Sequence, residues 1–142
     1  MEIVRTVTVD RPIDQVWGYL SDFSHTTDWD PGTVRTERTS GDGGVGTRYH
    51  NVSKFLGRQT ELDYVVSEFA PNEKLALRGE NATVVAHDTM TFSGSSERTT
   101  VTYRAGFDFK GISKLAAPLL APALRKLGDE AETGLRQALT QL

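Results

Sequence analysis

The run TTVTYRAGFDF, Thr99–Phe109, is followed by KGISKLAAPLLAPALRKLGDEAETGLRQALTQL, Lys110–Leu142, and the hydrophobic period changes between the two. In the first, Val101, Tyr103, Ala105, Phe107 and Phe109 alternate with Thr102, Arg104 and Asp108, which is the period of a strand with one apolar face. In the second, Leu124, Leu127, Ala131, Leu135, Ala138 and Leu142 recur every three or four residues. Asp129, Glu130, Glu132, Arg136 and Gln137 fall mostly on the other side. That is one apolar stripe on a long amphipathic helix. Pro118 and Pro122 predict a kinked or loosely wound beginning for it. A one-faced sheet and a one-striped helix bury both surfaces only by packing on each other.

Upstream of this run the chain reads mostly as strands. Glu2–Val9 is β-branched and partly alternating. Asp10-Arg11-Pro12 then starts a helix carrying Ile13, Val16, Trp17 and Leu20 at helical spacing. A second short helix is predicted from Asp22 to about Thr26, and Trp29-Asp30-Pro31-Gly32 stops it. Strands follow at 34–39, 47–55, 60–69, 74–78, 83–92 and 99–109, separated by short turns of Gly, Asn, Ser and Pro. Turns this short predict antiparallel neighbours. No repeat or linker divides the chain, so residues 1–142 are expected to form a single domain.

Composition excludes several kinds of chemistry. There are no cysteines, which removes disulfides, thiolate metal sites and thiol nucleophiles. His25, His50 and His87 lack metal-binding spacing, and no cofactor is expected. The formal net charge of -3 does not supply the basic field of a nucleic-acid surface. No run approaches the roughly 20 apolar residues that a membrane helix needs. Glu2 and Arg5 interrupt the first apolar stretch, so no signal peptide is read and a cytoplasmic location is expected.

The order strand, two short helices, six strands, long helix comes with recurrent short motifs. Pro12-Ile13-Asp14-Gln15-Val16-Trp17 and Asp22-Phe23 precede Trp29-Asp30-Pro31-Gly32. Gly44-Val45-Gly46-Thr47-Arg48, Phe55-Leu56-Gly57-Arg58, Val66-Ser67-Glu68-Phe69-Ala70-Pro71 and Thr99-Thr100-Val101-Thr102-Tyr103 follow in order. Over nearly its whole length the chain thus resembles the START-like (SRPBCC) superfamily. That superfamily includes lipid-transfer domains, plant pollen allergens and bacterial polyketide cyclase/dehydrase-type proteins. The resemblance implies an α+β helix-grip fold, in which a curved seven-stranded antiparallel sheet surrounds the C-terminal helix, with a cavity between them. Its motifs mark turns and core positions, and none matches a catalytic motif of the aromatase/cyclases, so no catalytic residue is carried over.

Alternation assigns the inward faces. Leu62, Tyr64 and Val66 share one phase, with Asp63 opposite. Tyr49, Asn51 and Phe55 share another, as do Leu75 and Leu77, and Met90 and Phe92 with Val84, Ala86 and Asp88 in register. Small residues (Ala86, Ala105, Gly79) are expected to leave volume unfilled. The expected ligand-binding wall is Tyr49, Asn51, Tyr64, Val66, Leu77, Met90, Tyr103 and Phe107, with Leu119 at an apolar portal formed by Ile112, Leu115, Ala116, Leu119 and Leu120. Asp88 is the oddity, a carboxylate phased inward that would be costly unless hydrogen-bonded. A bulge would instead turn His87 inward and Asp88 to solvent. His25 and His50 are expected at the surface.

Three functions remain open at this level. The first is a carrier or sequestering protein for a hydrophobic small molecule, acting as monomer or homodimer. The second is a polyketide cyclase- or dehydratase-like enzyme, with Asp88 or His87 as base and Tyr49, Tyr64 or Tyr103 as acid. The third is a protein-interaction module using Ile112–Leu120.

Overall fold

The computed structural model describes all residues, 1–142. Strand β1 (Glu2–Val9) leads into helix α1 (Ile13–Leu20), a 3-10 turn (Phe23–His25) and helix α2 (Thr26–Trp29). Strands β2 (Thr33–Ser40), β3 (Arg48–Phe55), β4 (Arg58–Ala70), β5 (Lys74–Glu80), β6 (Val84–Gly94) and β7 (Thr99–Phe109) follow. A second 3-10 turn (Gly111–Leu115) precedes helix α3 (Ala117–Thr140). The strands form one antiparallel sheet in the order β1-β7-β6-β5-β4-β3-β2. This is the α+β helix-grip arrangement expected from the sequence.

The local differences have local causes. The second helical segment runs to Trp29 rather than to Thr26. Asp22 caps the segment from outside, accepting from the Ser24 amide at 3.0 Å and the Ser24 hydroxyl at 2.6 Å. Neither Asp10 nor Arg11 caps α1. Pro12 occupies that position, and the Ile13 amide donates to the Ser95 carbonyl at 2.9 Å. Bulges interrupt β2–β3 and β4–β5, whereas β6 pairs with both neighbours without a shift. The alternation in β6 therefore holds, and Asp88 points inward while His87 points out.

The interior has two unequal halves. One lies towards α1 and the C-terminal part of α3. Here Trp17 packs edge-on against Phe69 at 5.1 Å and Phe92 at 5.0 Å. Val16, Leu20, Leu75, Leu77, Met90, Leu135 and Leu139 complete this core and are buried. Apolar surface removed from water here contributes roughly 25 cal/mol per Å2.

Two glycines let α3 sit close to its supports. A Cβ at Gly134 would lie 1.9 Å from the Trp29 carbonyl oxygen, and one at Gly128 would lie 2.5 Å from Ile3 Cγ2. Arg5 adds a 2.8 Å ion pair to Asp129 and a 3.2 Å bond to the Arg125 carbonyl. At the far end the Arg11 guanidinium donates to the carbonyls of Thr140 and Leu142, which suits a cation at a helix C-terminus.

The Gly134 contact makes a signed prediction. Gly→Ala inside a helix ordinarily stabilises by about 0.5–1 kcal/mol. Gly18→Ala in α1, where nothing lies within 4 Å, should follow that rule. Gly134→Ala should instead destabilise by about 3 kcal/mol, because the added methyl meets backbone that cannot swing away. Denaturant unfolding of the two variants checks the opposite signs.

Candidate functional site

The other half of the interior is open. Between α3 and the ends of β3, β4, β6 and β7 lies a cavity of about 510 Å3. Its apolar wall includes Phe23, Leu62, Val84, Phe107, Phe109, Leu120, Leu124 and Leu127. The paired strand ends Asn51–Leu62, Ser53–Thr60 and Phe55–Arg58 form one side, and Asn81–Val84 forms another. Ser113, Ala116 and Leu120 roof it. Pro118 stands in the first turn of α3, and Pro122 lies inside the helix, where it supplies no amide hydrogen for the ladder.

Polar groups converge at the inner end. Asp88 is 6% exposed, and its Oδ2 accepts from the Tyr103 hydroxyl at 3.2 Å. Tyr64 is equally buried and lines the cavity, with no hydrogen bond contributing to the environment of its hydroxyl. Asp30 reaches the cavity from the end of α2. It accepts from the Gly32 amide and the Thr33 hydroxyl, both at 3.0 Å. Thr26, Thr36, Asn51 and Ser53 form a satisfied chain alongside. The Asn51 amide donates to Thr36 at 2.8 Å, the Thr36 and Thr26 hydroxyls are bonded at 2.7 Å, and Ser53 donates to Asn51 at 2.7 Å.

Burial sets the electrostatics. Asp88 is pushed up to about 7, chiefly by burial and then by the neighbouring charge of Asp30, against the lowering effect of the Tyr103 hydrogen bond. Asp30 is also raised, by burial first, although its two hydrogen bonds pull the other way. Burial, with the two carboxylates as the next cause, holds the Tyr64 and Tyr103 phenols well above their ordinary value. All four groups are uncharged or anionic, and no cationic side chain offsets them.

Of the expected wall, Asn51, Tyr64, Tyr103 and Phe107 line the cavity, together with Asp88. Tyr49, Val66, Leu77 and Met90 do not. They lie on the inward face but belong to the filled half, where neighbouring side chains cover them. Tyr49, for example, packs against Phe23 with ring centroids 5.7 Å apart. Leu119 is 81% exposed, and Leu120, one helical step away, faces in. Ile112 and Leu115 are likewise outside the cavity and exposed. Gly79 leaves no space, because a Cβ there would lie 2.7 Å from the Tyr64 ring, which covers it.

His87 is on the outer face, 3.3 Å from Asp108, and is not a cavity acid or base. His50 is at the surface between Asp63 and Glu61, whose hydrogen bonds raise its pKa. His25 is half-buried, stacked on Tyr19 with its Nδ1 2.6 Å from the Tyr19 carbonyl. No group of residues has the makings of a metal site, and no helix is long and apolar enough to cross a membrane.

Comparison with solved structures agrees with this architecture. The Zhui aromatase/cyclase from Streptomyces sp. R1128 superposes with a TM-score of 0.82 at 17% identity, over 97% of this chain and 92% of that one. A protein from Thermus thermophilus gives 0.80 at 14% identity, over 96% and 95%. A START superfamily protein from Mycobacterium smegmatis gives 0.72 at 15% identity, over 99% and 94%. At these identities the likeness is one of fold. No curated protein sequence matches the chain. The sequence does match a family model described as polyketide cyclase / dehydrase and lipid transport over residues 1–140, and the chain belongs to that family.

Proposed function

We propose that residues 1–142 form one domain that holds an apolar small molecule between the sheet and α3, as a carrier or sequestering protein. The supporting observation is the open half of the interior, a cavity of about 510 Å3 with mostly apolar walls and a few convergent polar groups. Withdrawing about 300 Å2 of apolar ligand surface from water is worth about 7 kcal/mol before the cost of immobilisation. The reading keeps the cytoplasmic location expected from the sequence.

A second reading, cyclase- or dehydratase-like catalysis, draws on Asp88. A buried carboxyl titrating near 7 beside a phenol 3.2 Å away is suited to moving protons at neutral pH. The family description covers both roles.

Binding is tested with an environment-sensitive naphthyl fluorophore. Emission should rise and shift to the blue on mixing with the protein. Leu120→Trp, which brings an indole to the entrance, should weaken binding by about tenfold or more. The variant should stay folded, because Leu120 is only half-buried. Unchanged binding in Leu120→Trp would remove the cavity as the site.

Asp88 also predicts a pH dependence of stability. Its pKa is higher in the folded chain than in the unfolded one, so the folded state holds the extra proton. Its stabilising share is intact below about pH 4 and is lost progressively as the pH rises towards about 7. Asp88→Asn lacks that loss. It should match wild type near pH 4 and exceed it at pH 8 by up to about 4 kcal/mol. Denaturant melts across this range check the widening gap, and a gap independent of pH would contradict the assignment.

A further inference from the structure

We propose that the inner end of the cavity receives a cationic head, so that the ligand is an apolar molecule carrying one protonated amine. The inference rests on the ligand-holding role proposed above. Its ground is the inventory of groups at that end. Asp88 and Asp30 present two carboxyls from different elements, β6 and the end of α2. Both oxygens of Asp30 already accept hydrogen bonds from Gly32 and Thr33. Asp88 uses only Oδ2, towards Tyr103, so its second oxygen is left open. The Tyr64 hydroxyl, on a residue only 6% exposed that borders the cavity, is shifted by burial and by the two carboxylates with no hydrogen bond contributing. An open carboxylate oxygen and that phenol oxygen, both facing vacant space, are acceptors for an N–H donor.

The charge balance points the same way. Asp88 is faced by Asp30, Tyr64 and Tyr103, Asp30 is faced further by Glu130, and no lysine or arginine enters. The cations that border the cavity, Lys54 and Arg58, flank the β3–β4 turn and are exposed to water. An anionic head placed inside would meet two desolvated acids, whereas a cationic head supplies the counter-charge they lack. The aromatic surroundings add to this. The rings of Phe23, Tyr64, Tyr103 and Phe107 line the same space, and ring faces attract a desolvated cation.

A series of three naphthyl probes of nearly equal size tests this on the full chain: naphthylethylamine, naphthylethanol and naphthylacetate. The expected order of affinity at neutral pH is amine, then alcohol, then acid, with the amine favoured over the alcohol by about tenfold or more. Asp88→Asn should bring amine and alcohol to within about threefold of each other, the amine losing more affinity than the alcohol. Alcohol binding as tight as amine in the wild type overturns the inference and leaves the ligand-holding role standing. So does an amine preference that survives Asp88→Asn. Failure of all three probes to bind overturns both readings. The wild-type series needs no variant, so the result does not depend on how Asp88→Asn folds.

Discussion

The seat of α3 on Trp29 is the constraint from which the rest of the interior follows. Because residue 134 is glycine, the helix lies directly on the end of α2, with no side chain between the two backbones. From that contact the apolar stripe runs through Leu135 and Leu139 into the core around Trp17, Phe69 and Phe92. Gly128 on Ile3 and Arg5 on Asp129 fix the middle of the helix on the edge strand. N-terminal to these points Leu120, Leu124 and Leu127 of α3 border the cavity rather than the filled core, across from inward residues of β3, β4, β6 and β7. The cavity is thus a consequence of anchoring a long helix at one end and the middle only.

The same geometry accounts for the chemistry of the pocket's inner end. Asp88 stands at the boundary between the filled and open halves, its backbone paired with Leu77 on one side and Ala105 on the other. Apolar neighbours strip it of water, and the Tyr103 hydroxyl satisfies one oxygen only. Asp30 arrives at the same place because the Asp-Pro-Gly turn that ends α2 also brings its carboxyl to the cavity. Burial raises both acids first, and a neighbouring charge adds to it, that of Asp30 at Asp88 and that of Glu130 at Asp30.

The topology was legible in the sequence because two periods, two and three-to-four, switch cleanly and the turns are short. The inward faces of β4, β6 and β7 were legible for the same reason. Depth along each strand was not. Alternation places Tyr64 and Val66, or Asp88 and Met90, on one face, but it does not say that the first of each pair borders empty space and the second is covered. That depends on where α3 and α1 cross, a tertiary fact. Leu119 illustrates a different miss. Stepping the stripe back from Leu124 and Leu127 by three or four residues reaches Leu120 and then Ala116, and Leu119 falls off that line. Asp30 was read only as part of a helix stop. Its signal, an acid in a Pro-Gly turn beside an apolar helix end, is too common to single out without the fold.

Because every long strand traverses both compartments, adjacent inward positions on one strand answer to different demands. On β6, Phe92 and Met90 sustain the folded state, whereas Val84 and Asp88 shape a void. On β7, Val101 belongs to the first group and Phe107 to the second, since only the latter borders the open space. Divergence at the second set redraws the void while the first set keeps the scaffold intact. A lineage built on this plan can therefore drift in what it recognises at nearly constant thermodynamic cost.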